Sequence, residues 1–464
     1  MLWYDRSVRR AVPAALVLAA WAFAACVLAA CGDGHAKSDA AIDAPPDGPT
    51  PGEVEAALFP AVTNRDVDLL FMVDNSSGIG EKQYRFRAAF SSFIDSLTRF
   101  AGGLPNLHIG VVTTDLGSTA ADGMQGPDLE AGAGGCYGSG TSADLQTSSA
   151  VNGNFIVDVA AGSGARTTNY TGSLADAFIA SSDVGVAGCG IEQSIESTKR
   201  VLAGNPTAAG FRRDSASLAI IYFTDEDDCS LSHTTLFDPD TSMYGLLGSF
   251  RCARFGVTCA VGGATPDEMA TYGTKSQCQS NESGTYLTRI ADYVAFFHGL
   301  AADPRKVMAA AIAGPTSPLI VDPSAGNPYL IPSCMLDVPN GTENAYPGVR
   351  LEQFVSAFRH RVYSSACDPD YTIADAAIAH HIASMTGVPC LVQALTPLAT
   401  CRVFDERADG TTTEIPACGT GSAMPCFTLD ADAATCPDLQ HLLANVHRSA
   451  PPPADTMISV RCAL

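Results

Sequence analysis

Two stretches of the chain decide the predicted fold: residues 69–78 read LLFMVDNSSG, and residues 218–225 read LAIIYFTD. Each begins with a short run of apolar and β-branched side chains, which is typical of a strand buried on both faces of a parallel sheet. Each run leads into a polar loop that carries an aspartate, Asp74 in the first and Asp225 in the second. Because open α/β sheets bind ligands at the carboxyl ends of their strands, we expect a binding site where these two loops meet.

The remaining hydrophobic pattern alternates between strands and helices. Strands are predicted at 66–73, 107–112, 214–223 and 307–313, and helices at 81–100, 171–181, 190–203, 286–297, 349–363 and 372–386. This alternation predicts an α/β domain over 59–389, with a doubly wound and mostly parallel sheet. Two long segments, about 117–168 and 229–284, lack a sustained period and are predicted to be surface insertions.

Residues 1–30 have the three-part layout of a secretory signal: a basic start, an apolar stretch and a small-residue cleavage site. Cys31 follows that site, so the segment resembles a bacterial lipoprotein signal and implies lipidation of Cys31. The alternative is an uncleaved membrane anchor. Residues 31–58 are rich in proline and poor in large apolar side chains, which predicts a flexible tether. Gly32 is compatible with sorting to the outer membrane of a Gram-negative bacterium, on its periplasmic or surface face.

Cysteine content and charge narrow the class of protein further. Of 16 cysteines, Cys26 lies in the signal and Cys31 would carry lipid, so 14 are left to form up to seven disulfides, as expected of an exported protein. Six of them lie within 390–464, which predicts a small, disulfide-stapled, β-rich lobe. The net charge of −22 makes nucleic acid an unfavourable partner.

Between residues 66 and 315, the order of strands, helices and polar loops resembles the von Willebrand factor type A fold. That family has an Asp-x-Ser-x-Ser loop after its first strand, a threonine in a later loop and an aspartate after a later strand, which together form a metal-ion-dependent adhesion site. Asp74 and Ser76 match the first loop, and Asp225 matches the late aspartate. The resemblance implies a site for Mg²⁺, or for Mn²⁺ or Ca²⁺, because these cations prefer oxygen ligands. Ser77 and Asp227 are further candidate ligands.

The chain departs from this family pattern at two positions. Gly78 replaces the second serine, with a hydroxyl displaced to Ser77, and Val186 stands in loop 185–190 where the family has its threonine. The other hydroxyls considered for this place are those of Thr113, Thr114, Ser181 and Ser182. The adhesion motif is therefore degenerate. The alternative interpretation is that Asp74 and Ser76 only cap loops and helix ends by hydrogen bonding.

Other chemistry-bearing patterns do not indicate catalysis. His380 and His381 are adjacent in a predicted helix and point about 100° apart, so they do not form the i, i+4 pair of a zinc site. No Gly-x-Ser-x-Gly motif occurs. The run 226–228, Glu-Asp-Asp, is interpreted as a solvated acidic loop, with an outer cation site as the alternative. We expect no enzyme activity.

Three short segments, at 224–230, 249–252 and 311–315, resemble cysteine-rich lipoproteins of myxobacteria. Together with the lipoprotein signal, they lead us to expect a non-catalytic lipoprotein of the cell envelope. It would bind a protein or glycan partner over the loops that carry Asp74 and Asp225. The alternative is a structural or scaffolding role with a vestigial metal site, in which the insertions make the contacts.

Overall fold

A computed structural model of the chain describes residues 49–463, except 51, 131–134, 163, 325, 340, 393–400, 422 and 438–440. The described residues belong to one structural unit, Ile42–Leu464. A second unit, Met1–Ala41, lies outside them. The predicted signal, Cys31 and most of the predicted tether are therefore also outside the described residues.

Within the described residues, a seven-stranded sheet forms the centre of the fold. In spatial order its strands, numbered along the chain, are β14 (His360–Ser365), β9 (Val307–Ala313), β6 (Ser217–Phe223), β2 (Asp66–Val73), β3 (Asn106–Thr113), β4 (Ile156–Ala160) and β5 (Arg166–Thr168). The strands from β14 to β3 are parallel, and β4 and β5 continue the sheet antiparallel. The chain passes from β2 to β3 on one side and later to β6 on the other. The strand order therefore reverses at β2, which is where doubly wound sheets bind ligands.

Helices cover both faces of this sheet. The helices of the described residues are α1 (Gly80–Arg99), α2 (Leu174–Ser181), α3 (Ser194–Leu202), α4 (Thr241–Tyr244), α5 (Ser249–Gly256), α6 (Pro266–Met269), α7 (Ile290–His298), α8 (Val349–Ser356) and α9 (Thr372–Met385), with short 3₁₀ turns at Pro206–Ala208, Thr234–Phe237 and Pro304–Lys306. Alternate residues of a strand point to opposite faces. Leu69 and Phe71 accordingly pack with α1, α2 and α9, whereas Leu70 and Met72 pack with α3, α7 and α8.

Smaller β structures surround the central sheet. One antiparallel sheet has the order β1 (Glu53–Pro60), β19 (Met457–Ala463), β15 (Cys401–Glu406) and β16 (Thr412–Ile415). Another has the order β11 (Asn327–Ile331), β10 (Leu319–Ser324), β8 (Gly273–Ser280) and β7 (Val257–Val261). Two hairpins pair β12 (Cys334–Val338) with β13 (Gly341–Ala345) and β17 (Cys426–Ala431) with β18 (Leu442–His447).

Seven disulfides join the 14 cysteines of the described residues, which confirms the number predicted. They are Cys136–Cys189, Cys229–Cys252, Cys259–Cys278, Cys334–Cys367, Cys390–Cys436, Cys401–Cys462 and Cys418–Cys426. The second insertion is closed by two bridges of its own, and the C-terminal segment by three. These bridges are consistent with an exported protein. No helix in the described part of the chain has both the length and the apolar character needed to cross a bilayer.

The structure corrects the predicted boundaries in three places. The tether predicted to run to residue 58 includes strand β1, because β1 pairs with β19 from the far end of the chain. The helix predicted over 349–363 ends at Ser356, and β14 follows as a half-exposed edge strand without an apolar run. The first insertion contains β4 and β5, which extend the central sheet.

Candidate functional site

The loops after β2 and β6 lie side by side, as predicted. Val73 pairs with Phe223 at the ends of the two strands, and the backbone N–H of Asp74 donates to the carbonyl of Phe223 at 2.9 Å. Asp74 and Asp225 are both buried, with at most 4% of either residue exposed. The two aspartates therefore lie beneath the surface of this edge.

Asp74 is engaged by donors at both carboxylate oxygens. The backbone N–H of Ser76 donates to Oδ1 and the hydroxyl of Thr224 donates to Oδ2, each at 2.7 Å. Burial raises the pKa of Asp74 above its ordinary value, and these two hydrogen bonds oppose the rise. Gln83 on α1 also donates to the carbonyl of Asp74, at 2.6 Å. Asp74 thus ties the two loops and α1 together.

Asp225 forms a buried ion pair with Lys82, which sequence reasoning missed. Lys82 lies in the first turn of α1, and its Nζ is 2.9 Å from Oδ2 of Asp225 and 3.3 Å from the carbonyl oxygen of Gly78. Burial raises the pKa of Asp225 to about 6 and the charge of Asp74 adds to the rise, while the Lys82 ammonium opposes it. A lysine in an amphipathic helix is ordinarily a surface residue, so its sequence context gave no signal of this partner.

The loop at 185–190 packs on the loop after β2, where the resemblance placed it. The backbone N–H of Gly188 donates to the carbonyl of Asn75 at 2.8 Å, and Gln83 donates to the carbonyl of Gly185 at 2.9 Å. A Cβ at Gly188 would lie 2.4 Å from Oδ1 of Asn75, so a larger residue would displace the Asn75 side chain. Val186 is exposed at the surface of the edge and has no oxygen to offer a metal.

Among the alternative hydroxyls, Thr114 is the one that lies at this site. Its Oγ1 is 3.5 Å from Oδ1 of Asn75. Thr113 instead bonds Thr141, and the hydroxyl of Ser182 donates to the carbonyl of Phe178 in its own helix. Of the two adjacent serines in the first loop, Ser76 is buried and contributes its backbone N–H to Asp74, whereas Ser77 is exposed.

Glu192 is a further carboxyl group of this edge that the sequence analysis did not identify. It is buried, and no hydrogen bond of normal geometry reaches either of its carboxylate oxygens from the described residues. Burial, followed by the charges of Asp74 and Glu226, raises its pKa well above the ordinary value, and the nearby hydroxyl of Thr114 opposes the rise. In the sequence, Glu192 lies between the 185–190 loop and α3. This position next to a predicted site loop is the signal that would have identified it as a site residue.

The acidic run after Asp225 is not the solvated loop that we expected. Asp227 accepts backbone N–H bonds from Arg350 and Leu351, at 3.0 and 2.9 Å, and so caps the start of α8. Asp228 is fully buried, pairs with Arg350 at 2.9 Å, and accepts the N–H of Ile195 at the start of α3. The interactions of Asp227 and Asp228 with these two helix ends explain why acidic residues occur here. Since both oxygens of Asp227 are engaged, we do not retain it as a candidate metal ligand.

The two adjacent histidines, His380 and His381, contact other parts of the fold, which indicates a structural role. His381 is half-buried, and its Nδ1 lies 3.4 Å from Nδ1 of His360 on β14. Burial lowers the pKa of His381 to about 3, with the neighbouring His380 adding to the effect. His380 is itself buried, and its Nε2 lies 3.4 Å from the carbonyl oxygen of Cys390.

The residues at this edge do not fit a directly coordinated divalent cation. Asp225 is bound to the Lys82 ammonium, and both oxygens of Asp74 already accept hydrogen bonds. Gly78 and Val186 supply no side-chain oxygen. In the described part of the chain, no group of three or more His, Cys, Asp or Glu side chains is placed to hold a metal ion. Apart from the Glu192 carboxylate, the carboxylates described above are thus paired with groups of the protein itself.

A cavity of about 250 Å³ opens beside the two loops. Glu226 forms part of its wall, together with Ser249 and Phe250 of the second insertion and the rings of Tyr329 and Tyr346. The two tyrosine hydroxyls form a hydrogen bond with each other. Burial and the charge of Asp225 raise the pKa of Glu226 to about 8. The second insertion thus extends the carboxyl edge of the sheet with a mixed apolar and polar pocket.

No protein-family model and no curated protein matches the chain. Similar solved structures include proximal thread matrix protein 1 from the mussel byssus, with 11% identity over 69% of this chain and 48% of that one, and a TM-score of 0.28. A von Willebrand factor type A protein from Catenulispora acidiphila shows 11% identity over 86% and 58% of the two chains, with a TM-score of 0.28. The pilus adhesin SpaC from Lactobacillus rhamnosus GG shows 10% identity over 88% and 41%, with a TM-score of 0.32. The chain spans about half the length of these structures.

Proposed function

We propose that the protein is a non-catalytic binding protein of the cell envelope, with a domain of the von Willebrand factor A type. Its partner, a protein or a glycan, docks over the loops that follow β2 and β6. The observation that carries this proposal is the position of these loops at the point where the strand order reverses. That point is the common binding edge of doubly wound sheets.

The exposed surface of this edge is better suited to binding a partner than to catalysis. Ser77, Gly78 and residues 185–187 are exposed, whereas the carboxylates and Lys82 lie beneath them. The buried polar groups hold the loops in place through the hydrogen bonds described above. A partner would therefore meet small side chains on a firmly supported surface, with the cavity beside Glu226 at its border.

We further propose that the domain is exported and held at the outer membrane by lipid on Cys31. The disulfides support export, because such bridges persist in oxidising compartments.

Two valines of equal exposure provide a matched test of the binding edge. Val186 is 45% exposed in the loop at the carboxyl edge, and Val62 is 44% exposed in the turn between β1 and β2, where β2 begins. We expect Val186→Arg to abolish capture of envelope partners in a pull-down, and Val62→Arg to leave it unchanged. Equal capture by both variants would contradict docking at this edge.

The alternative is a scaffolding role in which the second insertion makes the contacts. The observation that favours it is the exposure of three large apolar side chains on that insertion, Met243, Val261 and Tyr272, each more than half exposed. Under this alternative, Tyr272→Ser combined with Met243→Ser would reduce capture, and Val186→Arg would not. The same pull-down therefore separates the two functions.

A further inference from the structure

The side chain of Lys82 is buried between the two loops. Lys82 is 1% exposed, and its ammonium lies between the two loops of the binding edge, where it bonds Asp225 from one loop and the Gly78 carbonyl from the other. A buried ammonium is costly unless it is paired, and this one is paired with groups of both loops. It therefore links the loops as a shared cation would.

Several carboxyl groups lie close to this ammonium. Four buried or half-buried carboxyl groups lie at this edge, those of Asp74, Glu192, Asp225 and Glu226, and the charge of Asp74 raises the pKa of the other three. Lys82 is the cation that opposes this effect at both Asp225 and Glu226. Positive charge nearby favours the ionised form of such carboxyl groups, and the lysine supplies it without any bound ion.

Gly78 precedes Lys82 by four residues, and both positions lie close to Asp225. A Cβ at position 78 would lie 3.3 Å from Oδ2 of Asp225, the same oxygen that Lys82 binds. A side chain there would crowd this carboxylate, whereas glycine leaves room for the contact between Asp225 and the ammonium. The loss of a hydroxyl at position 78 and the presence of a lysine at position 82 are thus parts of one arrangement.

We propose that the ammonium of Lys82 is a permanent internal cation that takes the place of a divalent metal ion between the loops after β2 and β6. The edge is then organised in the absence of metal. Because the ammonium is buried, a partner does not contact it. Binding therefore does not depend on an acidic group of the partner. Only this consequence for binding rests on the proposed function. The role of Lys82 as a cation can be tested on the isolated protein.

The test is thermal unfolding of the disulfide-intact protein in millimolar Mg²⁺, Mn²⁺ or Ca²⁺ and in EDTA, with no partner present. We expect the Tm of the wild type to be the same in all four conditions. Lys82→Ala should lower the Tm by roughly 5 °C or more, since it leaves carboxylates buried without their cation. Part of this loss should be recovered in the divalent cations, which can enter the space that the side chain leaves.

Lys199→Ala is the matched control. Lys199 pairs with the buried carboxylate of Glu196 at 3.1 Å on the other side of the sheet, so its loss also removes an ion pair. Its Tm should not respond to divalent cations. Lys82→Met, which retains the length of the side chain, should be destabilised without recovery because it fills the space.

Two results would overturn the proposal. One is a wild-type Tm that rises with a divalent cation or falls in EDTA, which requires no variant to fold. The other is a folded Lys82→Ala protein whose Tm does not respond to any of the cations. Either result would leave partner docking at this edge untouched, because unfolding is measured without a partner.

Discussion

The interaction between Lys82 and Asp225 can be measured directly by a double-mutant cycle. The pair is 2.9 Å apart, and neither side chain is more than 6% exposed. Removing one partner of such a pair leaves a buried charge and costs about 3 to 5 kcal/mol. Because the pKa of Asp225 is already about 6, its carboxyl can take up a proton when Lys82 is lost, which limits the cost to the lower end of that range.

The double variant Lys82→Met/Asp225→Asn should be much less destabilised than the sum of the two single variants. Replacing both charges removes the unpaired group that makes each single variant costly. We expect a coupling free energy of about 2 to 3 kcal/mol, the upper part of the range for residues in direct contact. The assay is urea unfolding at neutral pH followed by far-UV circular dichroism, with disulfides intact and the same denaturant slope in all four proteins.

Arg289 and Asp292 form the control pair. Their side chains are 2.5 Å apart but more than half exposed, so water already screens the interaction. The cycle of Arg289→Met and Asp292→Asn should show almost no coupling. If the effects of the Lys82 and Asp225 substitutions were also additive, the ion pair would contribute nothing specific, and the reasoning about an internal cation would be refuted.

Three further predictions concern the supporting structure. Burial raises the pKa of Asp375 to about 7, so the folded state holds a proton that the unfolded state has already released, and stability should fall as the pH rises from about 4 to 7. Asp375→Asn should weaken this dependence in urea unfolding and stabilise the protein at pH 8 by at most about 4 kcal/mol; equal stability of the two proteins at pH 8 would contradict the burial. Glu406→Gln should cost about 3 kcal/mol or more in the same assay, because Glu406 is buried between Arg359 and Arg461; a loss below about 1 kcal/mol would contradict this role. Removing the bridge Cys229–Cys252, which closes a separation of 23 residues, should cost about 3 kcal/mol and expose the second insertion to limited proteolysis; unchanged protease resistance would contradict that role.

The central sheet was predictable because its middle strands are continuous apolar runs. The bounds of β2 and β9 match the sequence prediction residue for residue, since β9 is buried along its whole length and β2 at all but its first residue. Edge strands lack this signal. β14 is half-exposed, and β1 owes its position to pairing with β19, about 400 residues away.

The candidate site was predictable only where it follows from the order of the central strands. Asp74 and Asp225 lie together because parallel strands bring their carboxyl ends to one edge, which the sequence pattern indicates. Lys82 was not predictable, because its partner is 143 residues away and its own helix suggests a surface lysine. The acidic run was misjudged for a similar reason, since the helix ends capped by Asp227 and Asp228 are distant in sequence.

The most direct test of the account is partner capture from envelope extracts by the wild type and by Val186→Arg, each with and without EDTA. We predict that the wild type captures the same partner to the same extent in both conditions, and that Val186→Arg captures none. Loss of wild-type capture in EDTA would contradict an edge organised by Lys82. Undiminished capture by Val186→Arg would contradict the carboxyl edge as the docking surface.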